Sequence, residues 1–175
     1  METAETHSMS MEFFTEKWME LFFGNRADDY RKMHLEDAIA FIPYGCMVDE
    51  FQEIIYSKPD LTKDERRQVW KDLEKQYKPH LKYKNDEFQG EGRKWQLQRH
   101  IYMSPFYYID YCLAQTCALQ FKIKMDENYE DAWNKYLAFS KESAKDSFQN
   151  MLHNIGFKSP FEDGYMKNLV SKLDK

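Results

Sequence analysis

Two acidic side chains near the start of the sequence have a spacing that suits metal binding or acid–base chemistry. Glu5 and Glu12 are seven residues apart, so on a helix they lie two turns apart on one face, together with Met9. Carboxylates placed in this way can ligate a metal ion or transfer a proton. On an arbitrary helix such a pair more often lies along a solvated edge, and the spacing alone leaves both interpretations open.

Imidazole and phenol groups come together in the second half of the chain. His100 precedes a turn, and Tyr108 and Tyr111 follow it with the i,i+3 spacing that places two side chains on one helix face. If His100 folds back over these tyrosines, the three donors could stabilise an oxyanion. The alternative, which the pattern by itself favours, is that the tyrosines pack in the core with their hydroxyls hydrogen-bonded.

The segment Pro43-Tyr44-Gly45 is a third candidate, as a bend that could line a substrate cleft, although its pattern supports no more than a kink between helices. The five histidines include no pair four residues apart, so the H-E-x-x-H metalloprotease motif is absent from this sequence. We therefore find no self-contained catalytic centre. Surface or structural roles are expected for His34, His80 and His153.

The elements that must position these side chains are predicted to be helical. Apolar residues recur with the helical period, and no stretch shows the strict alternation of a strand. We predict an all-α protein with about eight helices. The predicted helices cover Ala4–Phe23, Ala27–Phe41 resuming over Cys46–Tyr56, Thr62–Tyr77, Trp95–Tyr102, Pro105–Lys124, Tyr129–Ser140, Lys145–Ile155 and Phe161–Leu173, with a loop over Pro79–Arg93.

Local signals set several of these boundaries. Pro43 removes a backbone donor and Gly45 follows it, so a helix is expected to break there. Thr62 followed by Glu65 has the spacing of a capping box, which begins the next helix. Ser104 before a proline predicts an N-cap and a new helix.

The composition is that of a soluble globular protein, and residues 1–175 are predicted to form a single domain. The net charge is −5 and the basic residues are scattered, which argues against binding nucleic acid. The most apolar segment, Tyr107–Phe121, is too short and too interrupted to cross a membrane. Three cysteines, Cys46, Cys112 and Cys117, form no C-x-x-C pair and are expected to be small buried side chains in a reducing compartment. A cytoplasmic location is predicted.

Four segments of the chain resemble the oligoendopeptidase F branch of the thimet-oligopeptidase-like zinc metallopeptidases. They are residues 5–14 (ETHSMSMEFF), 41–52 (FIPYGCMVDEFQ), 100–115 (HIYMSPFYYIDYCLAQ) and 159–164 (SPFEDG). Matches of this length at consistent spacing are specific, and the similarity extends over essentially the whole chain. The resemblance implies the helical C-terminal part of a zincin-like catalytic domain that acts on short peptides.

The resemblance also implies roles for individual residues. In that family, two histidines of an H-E-x-x-H helix and a later glutamate hold Zn²⁺, and this glutamate corresponds to Glu5. Glu12 corresponds to a second family acid with a supporting role around the metal. His100, Tyr108 and Tyr111 correspond to groups that stabilise the tetrahedral intermediate, with Tyr107 as the neighbouring alternative for the tyrosine assignment.

One departure from the family pattern sets the functional expectation. Family members carry the H-E-x-x-H helix ahead of the position of Glu5, whereas here Met1 stands four residues ahead of it. We therefore expect this chain to be inactive alone and not to bind zinc tightly. A homo-oligomer or an N-terminal partner is expected to cover the Met/Phe face of the first helix. The alternatives are a non-catalytic peptide-binding or interaction module that complements a separate N-terminal part, and a helical protein without a functional cleft.

Overall fold

The computed structural model describes residues 2–143 and 145–173, and all its regular elements in those residues are helices, which confirms the all-α prediction. The α-helices are α1 (Glu2–Thr15), α2 (Glu20–Phe23), α3 (Ala27–Ser57), α4 (Lys63–Tyr77), α5 (Glu87–Gly90), α6 (His100–Met103), α7 (Tyr108–Glu127), α8 (Tyr129–Glu142), α9 (Phe148–Asn154) and α10 (Tyr165–Leu173), with 3₁₀ turns at Glu16–Trp18, Gly24–Arg26 and Lys94–Leu97. Within this described part, no helix combines the length and apolar character that a bilayer crossing requires.

The chain divides into two compact units, which are described separately. Unit 1 comprises Met1–Ile39 with Leu113–Lys175, and unit 2 comprises Ala40–Cys112. The single-domain assignment stays a prediction. In unit 1, the buried ring of Phe14 makes edge contacts with Tyr136 and Trp133, whose ring centroids lie 5.1 and 5.2 Å away. These contacts fix α1 against α8.

The core of unit 2 is built on aromatic side chains from α3, α4 and the turn before α6. Phe51 and Trp70 are fully buried and meet edge to face with their ring centroids 5.1 Å apart. Trp95 packs on the other side of Phe51 at 5.4 Å. Burial of large rings supplies most of the stabilisation of such a core, and it holds the segment that leads to His100.

The predicted break at Pro43 is wrong, because α3 runs through it without interruption. A proline inside a helix removes one backbone hydrogen bond, but Met47, Val48 and Phe51 on the following turns are fully buried. Packing therefore outweighs the local signal. Gly45 does not break the helix as predicted. A Cβ atom at this position would lie 2.2 Å from the sulfur of Cys112, so the absence of a side chain lets α7 approach α3 closely.

The first predicted helix, Ala4–Phe23, is interrupted by the 3₁₀ turn at Glu16–Trp18. The carbonyl oxygen of Glu16 accepts hydrogen bonds from Nε and Nη2 of Arg31, at 3.0 and 2.8 Å. It also accepts a short-range bond from the amide of Met19. A carbonyl group engaged in this way no longer propagates the α-helix, and this long-range contact is not visible in the local sequence.

The helix predicted to begin at Pro105 begins at Tyr108 instead. The amide of Tyr107 bonds to the carbonyl of Ser104 and closes a tight turn. Phe106 adopts a left-handed backbone conformation with φ of 58°, and its amide donates to Oε1 of the fully buried Gln52 at 3.0 Å. A bulky residue in this region of backbone space is strained by about 1 kcal/mol or more, so the surrounding contacts must hold it.

The capping box at the start of α4 is confirmed, and it gives a testable prediction. The Thr62 hydroxyl accepts from the Glu65 amide at 3.3 Å, and the Glu65 carboxylate accepts from the Thr62 amide at 2.7 Å. Replacing Thr62 with alanine should lower the free energy of unfolding by about 1 kcal/mol in urea titrations. Thr62→Ser should retain most of the stability, and equal losses in both variants would contradict the capping role.

Candidate functional site

His100 lies at the start of α6, and a neighbouring amide orients its ring. Nε2 of Gln98 lies 2.9 Å from Nδ1 of His100. The ring is half-buried, so part of its surface remains open to solvent. The turn through Ser104 and Phe106 then brings the chain back to α7, and this reversal places the first turn of α7 beside the imidazole.

The structure brings His100, Tyr108 and Tyr111 together. The imidazole centroid lies 5.1 Å from that of Tyr108 and 5.5 Å from that of Tyr111. Nε2 of His100 lies 3.5 Å from the hydroxyl of Tyr111. From the sequence this proximity was one of two alternatives, and the pattern alone favoured tyrosines packed in the core. Their catalytic role stays a prediction.

Tyr107 and Tyr108 differ in their surroundings. Tyr108 is buried, and its burial raises the pKa of its hydroxyl to about 12. A hydrogen bond with Gln98 acts in the opposite direction. Tyr107 is half-buried and stacks parallel to the His100 ring at 6.3 Å. The cluster therefore contains three tyrosines around one histidine.

This arrangement suits the stabilisation of negative charge on an oxygen atom. Neutral imidazole and phenol groups each carry one hydrogen that can be donated. Donors held in place before a reaction stabilise a developing oxyanion more than mobile water does. Because His100 and Tyr111 are half-buried at the same place, their polar atoms could act on one bound carbonyl group.

Glu5 and Glu12 both lie on α1 in unit 1, as predicted, but their surroundings differ. Glu5 is half-buried, and the Ser8 hydroxyl donates to its Oε2 at 3.3 Å. Glu12 is exposed and contacts Nε2 of His34 through its Oε2 at 3.0 Å. The carboxylate of Glu12 is thus engaged in an ion pair of unit 1.

The donor set in this chain does not make a complete zinc site. Zinc sites in proteins use three or four side-chain ligands. Among residues 2–143 and 145–173, no group of three or more His, Cys, Asp and Glu side chains is placed to hold a metal ion. His7, which could have joined Glu5, instead contacts the hydroxyls of Ser143 and Ser140 at 3.1 and 3.3 Å. Glu5 can therefore supply one carboxylate ligand, and no step through a metal follows from this chain alone.

His34 lies between two carboxylates in unit 1. Its Nδ1 lies 3.1 Å from Glu16 and its Nε2 lies 3.0 Å from Glu12. The hydrogen bond with Glu16 is the largest influence and raises the pKa of His34 above its ordinary value of 6.5, against the opposing effect of burial. The bond with Glu12 adds to the increase. The protonated form is thus favoured in the folded protein.

Stability should consequently fall as the pH rises through the pKa of His34. Because the folded pKa is above the unfolded value of 6.5, the contribution of His34 is complete below that value and is lost above the folded pKa. The free energy of unfolding in urea should therefore decrease as the pH rises above the ordinary histidine pKa of 6.5, and His34→Gln should remove most of this decrease. Burial lowers the pKa of His7, so His7 makes stability rise with pH, but this contribution is the same in the wild type and in His34→Gln. Identical pH profiles of the two proteins would contradict the assignment.

Two members of the site were missed by sequence reasoning. Gln98 contacts His100, and the hydroxyl of Tyr44 donates to Oε1 of Gln98 at 2.9 Å. The segment around Tyr44 was identified only as a kink or a cleft-lining bend. In the sequence, Gln98 is marked only by lying two residues before His100, and this spacing is not a known motif for a contact between the two side chains.

Known proteins that match this chain are peptidases. The family model described as peptidase family M3 matches residues 1–170. An X-ray structure of an oligoendopeptidase F is 47% identical, with a TM-score of 0.95 over 99% of this chain. PZ peptidase A, solved with an inhibitor, is 45% identical, with a TM-score of 0.95 over 99% of this chain. An oligoendopeptidase F from Bacillus anthracis str. Ames is 39% identical, with a TM-score of 0.82 over 99% of this chain.

The matching structures are much longer than this chain. It spans 31% of the first two and 28% of the third. None of the curated proteins compared with the chain matches it. The family match and the structural similarity agree with the resemblance inferred from the four sequence segments. The chain therefore belongs to peptidase family M3, and it corresponds to a helical part of an oligoendopeptidase.

Proposed function

We propose that this chain supplies the C-terminal part of the catalytic region of a zinc-dependent oligopeptidase that cleaves short peptides. The cluster of His100 with Tyr108 and Tyr111 is the observation that carries this proposal. Its Nε2 to hydroxyl distance of 3.5 Å brings two donors to one place, which a core packed only for stability does not require. Membership of peptidase family M3 supports the same reaction class.

The residues of this chain would have distinct tasks in such an enzyme. Glu5 would be one of the protein ligands of zinc, and Glu12 would have a supporting role near it. When bound, zinc polarises the scissile carbonyl and activates a water molecule. Nε2 of His100 and the hydroxyl of Tyr111 would donate hydrogen bonds to the carbonyl oxygen as it becomes negatively charged. Tyr108 would donate to the same oxygen, although its side chain is more buried than that of Tyr111.

We infer that the chain has no peptidase activity by itself. Its sequence has no H-E-x-x-H motif, and with it lacks a pair of histidine ligands and the associated general base. A single carboxylate such as Glu5 does not retain zinc tightly. Zinc-dependent cleavage of a short peptide by the pure chain, abolished by Glu5→Ala, would overturn this inference.

A second candidate function is an interaction module without catalysis, which complements a separate N-terminal part. The exposed apolar side chains of α2 favour it, because Leu21 and Phe22 are 79% and 75% exposed. Large apolar side chains in one exposed segment promote association. A second copy of this chain or an N-terminal partner would cover this segment. The same module could bind peptides without cutting them.

Reconstitution distinguishes the two functions. The chain would be mixed with the remaining part of an oligoendopeptidase F chain that carries H-E-x-x-H, together with zinc and a quenched fluorescent short peptide. The enzyme proposal predicts cleavage only when both parts are present. A stable complex without cleavage would support the interaction module instead.

A further inference from the structure

The side-chain amide of Gln98 contacts two other polar side chains within unit 2. Its Oε1 accepts a hydrogen bond from the Tyr44 hydroxyl at 2.9 Å, and its Nε2 lies 2.9 Å from Nδ1 of His100. The buried ring of Tyr108, at the start of α7, lies beside the same imidazole, with its centroid 5.1 Å from that of His100. The amide of Gln98 therefore connects α3 to the start of α6.

The Tyr44 hydroxyl contacts the oxygen end of this amide. The phenol is partly buried, and burial raises the pKa of Tyr44 far above its ordinary value, so the hydroxyl keeps its hydrogen and can donate it. Lys78 and Lys94 lie over the ring at 5.3 and 5.1 Å from its centroid and hold it in position. In the structure the Tyr44 hydroxyl donates to Oε1, and the NH₂ group of Gln98 faces His100.

The orientation of the amide in turn decides the tautomer of His100. A neutral imidazole has one nitrogen that donates and one that accepts. Because Nε2 of Gln98 has only hydrogens to offer, Nδ1 of His100 must accept, and the ring hydrogen is on its Nε2. The His100 Nε2–H then points toward the side of Tyr111, at the 3.5 Å separation of a weak contact. A stronger acceptor, such as an oxyanion, can replace that contact.

We propose that Gln98 is a positioning residue that holds His100 in the Nε2–H tautomer, so that His100 presents a donor to the carbonyl oxygen of a bound peptide. With the other tautomer, the lone pair of Nε2 would face the oxyanion and repel it. The importance of the tautomer for catalysis depends on the proposed peptidase function. The tautomer itself does not, and it can be measured in this chain without activity.

The test is a long-range ¹H–¹⁵N correlation spectrum of the histidine rings in the full 175-residue chain at about pH 9. The cross-peaks that disappear in His100→Asn identify His100. The wild type should show a protonated Nε2 and an unprotonated Nδ1. In Gln98→Glu, the carboxylate can only accept, so the hydrogen should move to Nδ1. A protonated Nδ1 in the wild type, or an unchanged tautomer in Gln98→Glu, would overturn the proposal.

A second variant tests the same proposal if Gln98→Glu does not fold. Tyr44→Phe removes the hydroxyl that orients the amide but keeps the ring, and it should weaken the preference of His100 for Nε2–H. Gln98→Met is the matched control for packing, because it keeps the length of the side chain without either amide bond. In the reconstituted enzyme, Gln98→Glu should lower kcat at least tenfold with little change in KM. Gln98→Met should also lose activity, because the hydrogen bonds that hold the imidazole are absent. Full activity in Gln98→Met would mean that the amide acts only through packing, and would contradict the positioning role.

Discussion

Replacing Phe51 with alanine is expected to lower the free energy of unfolding by about 3–5 kcal/mol. The side chain is fully buried and contacts Trp70 and Trp95 with ring centroids 5.1 and 5.4 Å away. Alanine would remove the buried apolar surface and both aromatic contacts, and the rigid neighbouring rings could not close the cavity. Urea denaturation followed by tryptophan fluorescence measures the loss.

Phe22 is the matched control for this substitution, because its side chain is 75% exposed. Phe22→Ala should change the free energy of unfolding by no more than about 0.5 kcal/mol. A loss below about 1 kcal/mol in Phe51→Ala would show that the core of unit 2 is not organised around this ring. Since the core holds the segment leading to Trp95 and His100, a destabilised core should also disturb the candidate site.

Replacing His100 with alanine is expected to reduce kcat of the reconstituted peptidase about 10²–10³-fold, with little change in KM. The imidazole is proposed to donate mainly to the charge that develops in the transition state, and an interaction of this kind contributes to kcat rather than to substrate binding. Steady-state kinetics on a short fluorescent peptide measure both constants.

His80 is the control histidine, because it belongs to the same unit but is exposed. His80→Ala should retain full activity. A loss of less than tenfold in His100→Ala, or an effect confined to KM, would contradict the oxyanion role. Circular dichroism of both variants would separate a catalytic effect from a loss of the fold.

Some elements of the fold could be predicted because local chemistry alone determines them. The capping box at Thr62 satisfies its hydrogen bonds within three residues, and the structure contains it as predicted. Pro43 and Ser104 show the opposite case. The helix around Pro43 is held by packing against α7, and the turn after Ser104 is held by Gln52, which is remote in sequence. Distant contacts of this kind overrule local signals.

The candidate site shows the same limit. The i,i+3 spacing of Tyr108 and Tyr111 and the turn after His100 allowed these side chains to meet, as they do in the structure, but the same pattern also suited tyrosines packed in the core. The bond between Tyr44 and Gln98 joins residues 54 positions apart, so no motif in the sequence could reveal it. The half-buried amide of Gln98, which contacts both Tyr44 and His100, was therefore found only in the structure.

The zinc content of the reconstituted protein, measured with the wild-type chain and with Glu5→Gln, tests whether this chain completes a zinc peptidase. We expect about one zinc ion per complex with the wild-type chain, and loss of both metal and cleavage in Glu5→Gln. In Glu12→Gln, zinc affinity should fall by a smaller factor of about 10–100, because Glu12 is assigned a supporting role. Stoichiometric zinc and undiminished cleavage in Glu5→Gln would contradict the assignment of Glu5 as a ligand.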